Sequence, residues 1–151
     1  MYRNILVPID GSDTAKRGLH EAIMLAKGNG TTLRLVHIAN TAVVALEYAE
    51  TSAPTEDWSA RRRAVGEAAL KEAESIVKQN GLHSESVMLE TTIDNTGELI
   101  VEQAVDWHAD VIVMGTHGRR GLSRLVLGSN AEYVLRHAPI PVLLVRMQSK
   151  R

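Results

Sequence analysis

The chain contains no cysteine and no phenylalanine, and among its 151 residues there are only two tryptophans, three tyrosines and four prolines. Without cysteine there are no disulfides, no thiolate metal sites and no cysteine nucleophile, and the composition fits a reducing compartment. With 44% apolar residues but almost no aromatic ones, the core must be aliphatic. Neither sign of charge prevails: 17 Lys and Arg against 18 Asp and Glu leave a net charge of −1. Wrapping a nucleic acid or holding an anionic membrane requires a basic excess, so neither is expected as a partner. No apolar run approaches the roughly 18 residues needed to cross a bilayer. The opening Met1-Tyr2-Arg3-Asn4-Ile5 runs into a strand-like segment rather than an apolar signal core. These absences predict a soluble cytoplasmic protein, folded as one domain over residues 1–151.

What is present is an alternation of short apolar runs with segments of helical spacing. Ile5 to Ile9 is apolar and β-branched and breaks at Asp10-Gly11-Ser12-Asp13. From Asp13, a candidate N-cap, the positions Ala15, Leu19, Ala22, Ile23 and Ala26 mark one helical face, closed by Gly28-Asn29-Gly30. Thr32 to Ile38 reads as a second strand. Residues 39 to 57 show no clean period. A second helix is predicted from about Trp58 to Gln79, with Val65, Ala68, Ala69, Ala73, Ile76 and Val77 inward and Gly81 as its stop. Val87 to Ile93 alternates apolar and polar residues, as a half-exposed edge strand does. Asn95 and Glu98 resemble a capping box for a third helix that buries Ile100, Ala104 and Trp107. Val111 to Met114 is continuously apolar, as a central strand covered on both faces should be. A fourth helix opens near Ser129, with Ala131, Val134, Leu135 and Ala138 on one face, and Val142 to Val145 follows Pro139-Ile140-Pro141 as a last strand. Such alternation implies βαβ units around a parallel sheet with right-handed crossovers.

Open α/β sheets bind ligands beyond the carboxyl ends of their strands. Asp10 follows the first strand there, and His37 and Ile38 end the second. After the fourth come Gly115 and Gly118, then nine residues, then Gly128-Ser129-Asn130 at a helix start. Glycine backbones approach phosphate oxygens closely, and a helix N-terminus directs free N–H groups and its positive dipole end at the same place. Thr116 and Ser129 offer hydroxyls, and Arg119, Arg120 and Arg124 add positive charge. Each glycine alone could equally be an ordinary turn residue. The pattern is neither a Walker A loop nor the dinucleotide fingerprint, which would follow the first strand.

Ile5-Leu6-Val7-Pro8-Ile9-Asp10-Gly11-Ser12, Gly115-x-x-Gly118-x9-Gly128-Ser129 and Pro139-Ile140-Pro141-Val142-Leu143-Leu144-Val145 together resemble the universal stress protein family, in its ATP-binding branch. The resemblance covers essentially the whole chain. It implies a three-layer α/β sandwich of the adenine nucleotide alpha hydrolase-like kind, with about four helices around a five-stranded parallel sheet in the order 3-2-1-4-5. It implies ATP as ligand, with Pro8 and Asp10 at the ribose and phosphates, and Mg²⁺ held through Asp10. Backbone groups around Ile38 would read the adenine edge, Met114 and Gly115 would line the ribose side, and Gly118, Gly128, Ser129 and Asn130 would hold the phosphates. It also implies a homodimer through the last strand, Val142 to Val145, and a role in stress tolerance.

No catalytic residue is evident, and a binding protein is the reading adopted; a slow ATPase or autophosphorylating enzyme is the alternative. His117, inside the glycine stretch, is taken as a solvent-exposed loop residue because nothing in the sequence orients it as a base. His20, His83, His108 and His137 lack metal-ligand spacing and are expected on the surface. Arg61-Arg62-Arg63, flanked by acidic residues, reads as a solvated helix face. Met24, Met88 and Met114 read as core filler.

Overall fold

The computed structural model describes residues 1–42, 55–117 and 127–147. Among them, β1 (Asn4–Pro8), β2 (Thr32–Asn40), β3 (His83–Thr91), β4 (Val111–Gly115) and β5 (Val142–Val145) alternate with α1 (Asp13–Ala26), α2 (Thr55–Gln79), α3 (Thr96–Asp106) and α4 (Ser129–His137). All strand pairs are parallel, in the order β3-β2-β1-β4-β5. The expected fold is the observed one.

The two faces of the sheet are covered by different helices. Side chains of α1 and α2 pack with Ile5, Val7, Leu33, Leu35, Val111 and Val113 on one face. Side chains of α3 and α4 pack with Leu6, Val36, Ile112 and Met114 on the other. Period-2 alternation thus divides each central strand between two aliphatic layers. Right-handed crossovers leaving β1 towards β2 and β4 towards β5 place their helices on opposite faces. The gap between β1 and β4 is therefore a topological switch point.

Local chemistry sets the element ends. Ser12, rather than Asp13, caps α1, its hydroxyl accepting the Ala15 N–H at 3.1 Å. Gly28, Gly30 and Gly81 have φ of +76°, +62° and +73°, the left-handed conformation that glycine adopts without a Cβ penalty. Asn95 precedes α3 but makes no side-chain cap; its Oδ1 instead accepts from Thr91 Oγ1 at 2.7 Å. In α2, Val65 and Ala68 face solvent, while Gly66, Leu70, Ala73 and Val77 face the sheet. In α4, Leu135 is exposed and Val134 carries the contact. Met24 is exposed, Met88 half-buried and Met114 buried. His20, His83, His108 and His137 lie on the surface. Arg61 stacks over the Trp58 ring at 5.4 Å and Arg63 pairs with Glu90 at 2.7 Å, along an outward face of α2.

At the opposite end of the sheet from the strand carboxyl ends, Asp110 ties the start of β1 to β4. Its Oδ2 accepts the Arg3 N–H at 2.7 Å and the Asn4 N–H at 2.9 Å. The Asn4 N–H and then the Arg3 N–H hold its carboxyl below the ordinary value of 3.8. A depressed folded-state value means that ionised Asp110 favours the fold above pH 3.8 and that this contribution is lost as pH falls through the lower folded value. Asp110→Ala is expected to lower the urea midpoint at pH 7, with the gap to wild type narrowing as the titration is repeated below pH 3.8.

Candidate functional site

Pro8, Asp10, Ile38, Met114, Gly115, Gly128, Ser129 and Asn130 all lie at the carboxyl ends of β1, β2 and β4 or at the start of α4. Gly118, Arg119, Arg120 and Arg124 lie outside the described residues.

Asp10 sits where the chain leaves β1. Its Oδ1 accepts both the backbone N–H of Ser12, at 2.8 Å, and the Ser12 hydroxyl, at 2.5 Å. Ser12 caps α1 with the same hydroxyl. The carboxylate is thus oriented by the turn that starts the helix, so the turn-capping reading of Asp10 and the site reading share one geometry. Among the described residues no group of three or more His, Asp or Glu could hold a metal by itself.

The end of β4 is knitted to both neighbouring elements. Thr116 N–H donates to Val145 O at 3.0 Å, and Thr116 O accepts the Gly128 N–H at 2.8 Å. Thr14 Oγ1, in the first turn of α1, donates to His117 O. His117 is half-buried rather than exposed as expected: its Nδ1 lies 2.9 Å from Thr116 Oγ1, and its Nε2 is enclosed with no partner among the described residues. Gly115 is bare for a packing reason. A Cβ there would stand 2.8 Å from the Cβ, carbonyl carbon and oxygen of Thr14, so α1 fills the space a side chain would need. Met114 is 6% exposed and packs within the α3–α4 face, so what this stretch can offer a ligand is chiefly backbone.

Gly128 is the N-cap of α4 with extended φ −60° and ψ 147°, and it makes no side-chain cap bond because it has no side chain. The first intrahelical bond is Glu132 N–H to Gly128 O at 2.8 Å. The N–H groups of the first turn, from Ser129 to Ala131, therefore start without an intrahelical acceptor. Ser129 and Asn130 are exposed. This is the backbone arrangement that receives an anion.

On the other side of the switch point, β1 parts from β2. Ile9 N–H donates to Val36 O at 2.7 Å, and Ile9 O then meets His37 Nδ1 at 2.6 Å. A carbonyl only accepts, so Nδ1 carries the proton. The sequence placed His37 at the strand end but assigned its imidazole no role; a lone histidine among aliphatic strand residues was the available signal. A shallow apolar cleft of about 260 Å³, counted to open solvent, lies between α1 and α2 and is lined by Ile9, Gly11, Ala15, Leu19, Ala73 and Ile76. It does not reach Ile38, Gly115 or Gly128, and the one cation on its wall, Lys16, is paired with Glu72 at 3.1 Å.

Comparison with known proteins agrees with this fold. Residues 1–146 match the model of the universal stress protein family. A universal stress protein of Methanocaldococcus jannaschii is 35% identical over 150 residues, covering 99% of this chain and 85% of that protein. The solved structure of a universal stress protein from Lactobacillus plantarum superposes with a TM-score of 0.78 at 25% identity, over 96% of this chain and 98% of that one. The structure of a universal stress protein from Archaeoglobus fulgidus in complex with dAMP superposes with a TM-score of 0.65 at 25% identity, over 95% of this chain and 98% of that one.

The packing of Gly115 can be tested separately from any ligand. Gly115→Ala should destabilise the protein by about 1–3 kcal/mol, because the methyl meets Thr14 backbone atoms that have little room to move. Equilibrium denaturation checks this; an unchanged midpoint would show that α1 can shift aside.

Proposed function

The chain belongs to the universal stress protein family, and from that premise we propose that it is an ATP-responsive binding protein acting as a homodimer in stress tolerance. The observation that carries the nucleotide reading is the glycine-capped start of α4. Its first-turn N–H groups lie uncapped by any side chain, at the end of the sheet that also holds Asp10 and the Ile38 backbone. In this reading Ser129, Asn130 and the Gly128 backbone hold phosphates, together with Gly118. Pro8, Asp10, Met114 and Gly115 flank the ribose, and Ile38 N–H and C=O meet the adenine edge. The dAMP complex of the Archaeoglobus relative supports an adenine nucleotide as the ligand class. A magnesium ion would be held by Asp10 with the phosphates themselves, since magnesium keeps to few protein carboxylates in nucleotide sites. Bound ATP supplies negative charge that these donors complement, and it can favour one conformation only by its preference for that conformation.

The reading is one of binding without hydrolysis. Phosphoryl transfer needs a base or nucleophile that reaches the substrate, beyond ground-state phosphate contacts; His117 is held at Nδ1 by the Thr116 hydroxyl, and its Nε2 is enclosed.

The homodimer reading rests on β5, which ends the sheet order beside β4. Val142 to Val145 carries no charge, and Leu143 is 39% exposed. An apolar, uncharged edge of this kind is a template for pairing with a second copy.

Two experiments test these claims. Calorimetry should find ATP binding to the wild type and a loss of about tenfold or more in Gly128→Val, whose side chain crowds the phosphate donors. Equal affinity in a folded variant would remove the phosphates from α4. In size-exclusion chromatography with light scattering at micromolar concentration, the wild type should run as a dimer and Leu143→Lys as a monomer. A monomeric wild type would sink the dimer.

A further inference from the structure

In a parallel ladder, alternate residues of a strand bond to alternate neighbours. In β2 the even-numbered residues face β1: Thr32 N–H donates to Arg3 O, and Val36 O accepts from Ile9 N–H. The next bond in that series would run from Ile38 N–H to Ile9 O. It is not formed, and the acceptor is taken by the His37 side chain at 2.6 Å. The imidazole thereby substitutes for one rung of the sheet. Ile9 O is satisfied, as a buried carbonyl must be, while Ile38 N–H and C=O point past the end of β1.

The substitution has been built for. His37 is 7% exposed and lies against α2 at Gly66, where a Cβ would stand 2.3 Å from His37 Cδ2 and 2.5 Å from Nε2. Any residue other than glycine at that turn of α2 displaces the ring. Gly66 costs helix propensity in the interior of a 25-residue helix, and the space it leaves is the space His37 occupies.

We propose that His37, admitted by Gly66, is a positioning residue for base recognition: by capping Ile9 O it keeps Ile38 N–H out of the sheet and available to the nucleobase. A strand N–H beside a strand C=O presents one donor and one acceptor. Adenine offers the matching edge, with an acceptor ring nitrogen next to an amino group. Guanine offers the reverse, a ring N–H next to a carbonyl. The inference rests on the nucleotide reading above and adds the means by which that site selects adenine.

His37→Phe removes the donor while keeping a ring against Gly66, so Ile9 O is left to recruit Ile38 N–H and the sheet zips by one rung. In nucleotide-free protein, amide hydrogen exchange at Ile38 should then slow by about tenfold or more relative to wild type. ATP affinity should fall about tenfold, narrowing the preference over GTP, while inorganic tripolyphosphate binds as before. His37→Asn, whose amide can place an N–H near the Nδ1 position, should resemble wild type in both measurements. Gly66→Ala keeps the histidine but pushes it aside and should resemble His37→Phe, which guards against the case in which that variant fails to fold. Unchanged Ile38 exchange and unchanged ATP preference in His37→Phe and Gly66→Ala would overturn the inference. So would ATP and tripolyphosphate weakening together. A wild type that binds neither ATP nor tripolyphosphate overturns the nucleotide reading itself, and the exchange data then report only on the sheet.

Discussion

Everything at the carboxyl end of this sheet depends on β1 losing its neighbours. Along its length β1 pairs with β2 from Asn4 to Pro8 and with β4 at Ile5 and Leu6. Beyond that, α1 leaves over one face while α4 approaches over the other, and the strands cannot all continue. Three kinds of backbone group are released where the ladder stops: the Asp10 turn, the Ile38 amide and the first turn of α4. An open end where strands part follows from the crossover geometry before any particular side chain is chosen. The side chains then decide which released groups are satisfied internally and which remain for a ligand. Ser12, Thr14 and His37 do the first. Gly128, by having no side chain, does the second.

Much of this was legible in the sequence because it depends on short-range rules. Continuous apolar runs marked the central strands, glycines with positive φ closed α1 and α2, and alternation implied a parallel βαβ sheet, while its strand order came from the family resemblance. The differences have separate local causes. Val65 and Ala68 read as inward because α2 is rich in alanine, which fits either face, and because Gly66 looks like a weakness rather than a contact. β3 begins at His83, earlier than its alternating apolar positions indicate, because the first residues of an edge strand can be polar and still pair. Asn95 has the spacing of a cap, but Thr91 bonds its side chain.

The candidate site was legible as a list and not as a set of contacts. Asp10, Gly115 and Gly128 could be picked out by type and position. That Thr14 fills the space beside Gly115 required two segments about a hundred residues apart to be brought together. The partnership of His37 with Ile9 and Gly66 is of the same kind: three unremarkable residues in sequence, meaningful only in space.

The threads that join β4 to its surroundings draw on both ends of the chain. Thr14 Oγ1 reaches His117 O across 103 positions of sequence, and Thr116 N–H is held by Val145 O in the last strand. Contacts of such long range close large loops, which is entropically costly. The Gly128 N–H that opens α4 is held by Thr116 O, and the Thr116 N–H in turn by β5. The two ends of the chain thus meet at the candidate site, and a segment ending before β5 would leave Thr116 N–H without its Val145 acceptor.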